Sequence, residues 1–282
     1  MPELPEVETI TRQLERVLVG KKIAKVEVLR QRSFSGTENE LIGKRVKSIE
    51  RRAKMMAIGF ENYEYLLIIH LKMTGQLIYL SGNHRVVGGH PTPDWVNELP
   101  SKHTRVIIDF ENEEKLFFND LRVFGWMKLI SINNWEKITS KLPPDVTSKN
   151  FSFEYFQKVV RSSARSVKLV LLDQTKIGGV GNIYANDALY KAKIDPRRKS
   201  KDLSDLEIRN LFVAVKEVIE RGVKYGGASV DKYVDASGLG GKYQEHFLVY
   251  QKMGQRCERD GAEIKKIKVG GRGTFYCPEC QK

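Results

Sequence analysis

Apolar positions change their period along the chain, and the changes mark out its elements. Val7, Ile10, Leu14, Val17 and Leu18 follow helical spacing and Gly20 supplies a stop, which predicts one amphipathic helix facing a core. From Lys22 the pattern becomes strand-like. Ile23–Leu29, Arg45–Arg51, Met55–Phe60, Tyr65–Lys72, Gln76–Leu80, Arg105–Phe110 and Lys115–Asn119 predict strands, with turns at Asn62 and Glu111–Glu114. Closely spaced strands behind one leading helix predict a β-sandwich on which that helix packs. Residues 131–150 contain Pro143-Pro144-Asp145 and little apolar periodicity, the pattern of a linker. Helical spacing returns at Phe153, Phe156, Val159 and Val160, then over Val167–Leu172 and Ile183–Lys191. Ser204 followed by Glu207 is a capping-box pair, opening a helix through Leu211, Val215 and Val218 to Gly222. The tail from about Tyr243 is strand-like. The expected class is α+β, divided as 1–130, a linker 131–150, a helical part 151–242 and a tail 243–282.

Composition narrows the classes of function. The 282 residues are 41% hydrophobic and 29% charged, ordinary for a soluble globular protein with more than one domain. The net charge of +13 suggests a polyanionic partner, although ribosomal and membrane-surface proteins share such a balance. The longest apolar run, Leu66–Leu71, is interrupted by His70, so no membrane span is expected. The acidic N-terminus does not resemble a signal peptide. All three cysteines lie in the last 26 residues, which points to a reducing compartment, the cytoplasm, and to a local metal or thiol role. Between Arg161 and Lys201 ten Lys/Arg stand against three Asp/Glu, bracketing a glycine-rich turn.

Chemistry concentrates at the start. In Met1-Pro2-Glu3-Leu4-Pro5-Glu6-Val7-Glu8, removal of Met1 would leave Pro2 as a secondary amine. An α-amino group titrates near ~7.7–8.0 and a lysine near ~10.4, so such an amine is the better nucleophile at neutral pH. Its attack on a sugar or carbonyl carbon gives an iminium ion, with Glu3 adjacent to move a proton. The same residues also make an ordinary helix entry, with Pro5 in the first turn and acids at the positive end of the dipole. Further along, Arg51-Arg52-Ala53-Lys54 is a basic cluster that surface strands also carry. The turn Gly178-Gly179-Val180-Gly181 before Asn182 would present backbone N–H groups to a phosphate. Cys257-x2-Asp260-x16-Cys277-x2-Cys280 has zinc-ribbon spacing, with an aspartate in one of the four places. One zinc per chain is expected there, bound more weakly than by four cysteines; a metal-free hairpin with Asp260 capping a turn is the alternative.

Taken together, these motifs resemble the formamidopyrimidine-DNA glycosylase and endonuclease VIII family of base-excision repair enzymes, over almost the whole chain and closest to the first. The resemblance implies a helix-two-turn-helix in the helical part and a zinc ribbon in the tail. It implies Pro2 as nucleophile, Glu3 as proton donor and Lys54 at the lesion's sugar-phosphate. It places Met73, Arg122 and Phe124 in the gap left by an extruded base, with Lys168, Asn182, Tyr233 and Arg272 among the DNA contacts and Gly226–Tyr233 over the flipped base. Lys72 and Val123 depart from the glycine and basic residue expected of the family. The implied partner is double-stranded DNA containing a damaged base, bound by a monomer at the nucleoid with no membrane. The implied reaction is excision of oxidised purines followed by β,δ-elimination. An oxidised-pyrimidine glycosylase of the endonuclease VIII type and a non-catalytic DNA-binding relative remain as rivals.

Overall fold

The computed structural model describes residues 2–229 and 241–282. The chain divides into two compact units, Met1–Lys141 with Gly226–Lys242, and Leu142–Tyr225 with Tyr243–Lys282. In the first, helix α1 (Leu4–Leu18) has Pro5 in its opening turn, where a missing N–H leaves no bond unmade. Glu6 reaches back to accept the Glu3 backbone N–H at 2.7 Å, one half of a capping box.

Ten strands follow among the described residues of this unit, in two five-stranded sheets. One runs β1 (Ile23–Val28), β8 (Thr104–Phe110), β9 (Lys115–Asp120), β6 (Gly75–Ser81), β7 (His84–Gly89). The other runs β2 (Phe34–Ser35), β10 (Trp126–Ser131), β5 (Tyr65–His70), β4 (Met55–Phe60), β3 (Val46–Arg52). Neighbours are antiparallel except β10 and β2. A single apolar cluster joins Leu77, Val106 and Phe118 of one sheet, Met56, Leu67 and Met127 of the other, and Val7, Ile10, Leu14 and Leu18 of α1. Each such side chain contributes about 1.5–3 kcal/mol on burial, so this core anchors the loops that leave the sheets.

The structure adds elements that periodicity alone misses. The Gly88-Gly89 pair of β7 looks like a turn in sequence. A Cβ at Gly88 would lie 2.5 Å from Cβ of Ile10, so the glycine is there to let α1 approach the strand. Within the expected linker stands helix α2 (Ile132–Thr139), capped by Ser131, whose hydroxyl accepts the Asn134 N–H. None of its residues is buried; Ile132, Trp135 and Ile138 do follow helical spacing, but over only eight residues beside the Pro143-Pro144 signal.

The second unit holds α3 (Phe153–Arg161), α4 (Val167–Leu171), α5 (Asn182–Lys191), α6 (Asp205–Lys224) and the hairpin β11 (Lys265–Val269) with β12 (Arg272–Tyr276). Ser204 and Glu207 form the expected capping box of α6. The fully buried Asp187 of α5 accepts the Tyr243 hydroxyl and the backbone N–H groups of Leu248, Val249 and Tyr250, at 3.0–3.1 Å. The tail therefore shares one unit with the helices. The described residues 226–229 and 241–242 pack with the sandwich unit, where the Ala228 N–H donates to Glu6 Oε1 at 2.7 Å.

Candidate catalytic and nucleic-acid site

Pro2 and Glu3 are buried at the head of α1. Glu6, one turn on, holds the Glu3 N–H with one carboxylate oxygen and the Ala228 N–H with the other. Glu8 continues the connection. Its Oε2 accepts from Arg51 Nε at 2.5 Å, and Arg51 Nη1 donates to the Ala53 carbonyl at 2.8 Å. Burial raises the Glu8 carboxyl, but the hydrogen bonds and charges of Arg51 and Arg12 outweigh it and keep the group below its ordinary value. The two-residue turn between β3 and β4, with Ala53 at φ +52°, carries Lys54, which is buried. The head of α1 and the lysine turn are thus tied together through one buried arginine.

His70, which sequence reading registered only as an interruption, lies in the field of Lys54. Burial, then the charges of Lys72 and Lys54, push its pKa down to about 3. The neutral ring accepts the Lys72 N–H through Nδ1 at 3.0 Å, so its Nε2 is the N–H donor. Across the sheet His70 pairs with Trp126.

The loops bearing Met73 and Arg122–Phe124 are knotted by one carboxylate. Asp120 Oδ1 accepts the Thr74 hydroxyl at 2.5 Å and the Arg122 N–H at 3.1 Å, and Oδ2 accepts the Gly125 N–H at 2.6 Å. Arg122 N–H also reaches Thr74 Oγ1 at 3.0 Å. On this frame Met73 is 39% and Phe124 46% exposed, with the Arg122 guanidinium 4.8 Å above the Phe124 ring. Lys72 and Val123 both sit at positive φ, +51° and +56°. Val123 is β-branched, so its backbone is strained.

In the second unit, three of the expected DNA residues converge on the β11–β12 turn. Gly270 and Gly271 both have positive φ, the geometry of a tight primed turn, and a Cβ at Gly270 would lie 2.5 Å from the Leu169 side chain. Arg272 follows and is exposed. The Gly273 carbonyl accepts from Lys168 Nζ at 2.9 Å and from Asn182 Nδ2 at 3.1 Å. Lys168 is another of the residues expected to meet DNA. It is fully buried, its ammonium also donating to Thr274 Oγ1 at 2.7 Å, so it holds the turn from inside. Gln174 bridges the glycine turn before α5, accepting the Gly179 N–H at 3.1 Å and donating to the Val180 carbonyl at 2.6 Å. Tyr233 lies outside the described residues.

Cys257, Asp260, Cys277 and Cys280 bring one donor atom each within 4.8 Å of one another. With Zn–S near ~2.3 Å and Zn–O near ~2.0–2.2 Å, a tetrahedron has edges of about 3.8 Å between sulfurs and about 3.6 Å from sulfur to oxygen. The structure has 3.9 Å between the sulfurs of Cys257 and Cys280, and 3.3 and 3.5 Å from Cys277 Sγ to the Asp260 oxygens. The carboxylate occupies the fourth corner, and the set fits one zinc ion.

Residues 1–127 match the formamidopyrimidine-DNA glycosylase N-terminal domain, 142–234 its H2TH domain, and 254–282 a zinc finger found in that enzyme and in an isoleucyl-tRNA synthetase. The chain belongs to the formamidopyrimidine-DNA glycosylase family. It is 37% identical over 289 residues to the formamidopyrimidine-DNA glycosylase of Pelotomaculum thermopropionicum, covering 100% of this chain and 99% of that one. It also matches the Lactococcus lactis enzyme in complex with abasic-site DNA, with TM-score 0.87, 34% identity and full coverage of both chains. A second structure of the Lactococcus lactis enzyme, with DNA containing a formamidopyrimidine lesion, matches with TM-score 0.86 and 35% identity, covering 99% of this chain and 100% of that one. The family, the fold and the zinc finger agree with the sequence reading.

Proposed function

We propose that this chain excises oxidised purines, 8-oxoguanine and formamidopyrimidines, from double-stranded DNA and then cuts the strand by β,δ-elimination. It is a DNA glycosylase of base-excision repair, and we propose that it acts as a monomer in the cytoplasm, at the nucleoid. The observation that carries the reading is the head of α1: Pro2 and Glu3 are buried there, and the Glu8–Arg51–Ala53 bonds tie them to the turn of Lys54. With Met1 removed, the Pro2 amine forms a C–N bond to the sugar as the glycosidic bond breaks and the base leaves with a proton. The sugar ring then opens as the C1′–O4′ bond breaks and O4′ takes a proton, which leaves the Pro2 iminium. Loss of the C2′ proton expels the 3′ phosphate, loss of the C4′ proton expels the 5′ phosphate, and water releases the Pro2 amine. Glu3 moves protons, and Lys54 offsets phosphate charge. Flipping a base costs a few kcal/mol in lost stacking, and the projecting Met73, Arg122 and Phe124 suit the vacated space.

The test is borohydride trapping of mature protein on duplexes carrying 8-oxoguanine, a formamidopyrimidine or an oxidised pyrimidine. An adduct mapping to Pro2, strongest with the purine lesions, is expected. An adduct mapping only to Lys54 would overturn the nucleophile, and preference for the pyrimidine would move the chain to endonuclease VIII specificity. Glu3→Gln should lose base excision yet retain more cleavage at a pre-formed abasic site, where no base has to leave.

A further inference from the structure

Beyond its four ligands, the metal cluster has a second layer of contacts that the repair reaction does not use. The Tyr190 hydroxyl lies 3.3 Å from Cys257 Sγ, buried at the end of α5. A zinc-bound cysteine is a thiolate and accepts only, so in the loaded site the phenol donates. Arg259 Nη1 points at Cys280 Sγ at 3.6 Å. The same guanidinium lies 4.1 Å over the Tyr190 ring and donates to the Tyr190 carbonyl at 2.7 Å and the Lys191 carbonyl at 3.4 Å, among the last carbonyls of α5.

Charge explains why these contacts matter here. Three thiolates and one carboxylate around Zn²⁺ leave the site with two net negative charges, next to a helix C-terminus that is itself negative. A guanidinium between the two offsets both. Asp260 adds a further demand, because its carboxylate is a harder donor than the thiolate usual in such ribbons and holds the ion less well. Hydrogen bonds to the remaining sulfurs are the available means of keeping the metal.

We infer that Tyr190 and Arg259 are positioning residues of the zinc site, fixing the Cys257 and Cys280 thiolates and retaining the ion that Asp260 binds weakly. The inference rests on Asp260 being the fourth ligand. It links the metal to α5, the helix whose first residue, Asn182, holds the Arg272 turn.

The test uses full-length, zinc-loaded protein and the variants Tyr190→Phe, Arg259→Met and Arg259→Lys, with circular dichroism to verify folding. Zinc transfer to a chromophoric chelator should be on the order of 10–100-fold faster in Tyr190→Phe and Arg259→Met, the usual effect of losing an outer-shell partner, and Arg259→Lys should restore part of the difference. In cobalt-substituted protein, Tyr190→Phe should move the thiolate-to-cobalt charge-transfer band to lower energy, because a hydrogen bond no longer stabilises the sulfur electrons. A generic packing role would not shift that band. If the parent carries no zinc, both the metal site and this inference fall. If the parent holds zinc while the variants match it in transfer rate and cobalt spectrum, this inference alone falls.

Discussion

His70 illustrates how a single side chain can gain a role that sequence leaves invisible. In the strand pattern it merely breaks an apolar run, because nothing local says which charges will face it. The fold supplies them: burial and the ammonium groups of Lys54 and Lys72 keep the ring neutral, with a pKa near 3 against an ordinary value of 6.5. A depressed histidine contributes stability that is present above the unfolded pKa and lost as pH falls toward the folded one. Urea unfolding should therefore show the wild type losing, between pH 7 and pH 5, on the order of 1–2 kcal/mol more than His70→Gln. Equal losses in both proteins would mean the ring is not held neutral. Pro2, Glu3 and Lys54 can be proposed from sequence because motif residues keep their order; the pairing of Asp120 with Thr74 cannot, since their hydrogen bond joins loops 46 residues apart.

At the scale of elements, legibility followed length and burial. Helices α1 and α6 declare themselves by period and capping box, whereas β7 hides behind the glycines that let Ile10 approach and α2 buries nothing. The surroundings of Lys168 are hidden for a related reason. A lysine near a glycine-rich turn looks like a phosphate ligand until the ribbon, 105 residues later, covers it. Its role is then to set the Arg272 turn, and the two residues should behave as one device. In duplex-binding measurements Lys168→Met and Arg272→Ala should each weaken affinity, and the double variant should be little worse than Arg272→Ala alone, a coupling of ~0.5–3 kcal/mol. Strict additivity would instead give Lys168 an independent contact with DNA.

For the molecule as a whole, the +13 charge makes affinity a function of salt. The logarithm of the binding constant should fall linearly with the logarithm of salt concentration. Arg272→Ala, losing one phosphate contact, should flatten that slope by about 0.9, while Arg122→Ala should leave it nearly unchanged and alter the preference for the base opposite the lesion. A flattened slope from Arg122→Ala with unaltered base preference would make it a phosphate residue. The division of the chain carries a further consequence for biosynthesis. Residues 226–229 return to the sandwich unit after the chain has built most of the second, and the Ala228–Glu6 hydrogen bond spans 222 positions. At ~5–20 residues per second, a ribosome needs roughly 10–45 s to travel that distance. The nascent first unit waits through that interval without the Ala228 hydrogen bond to Glu6, so its N-terminal corner is finished among the last parts of the protein to form, although it was the first to be made.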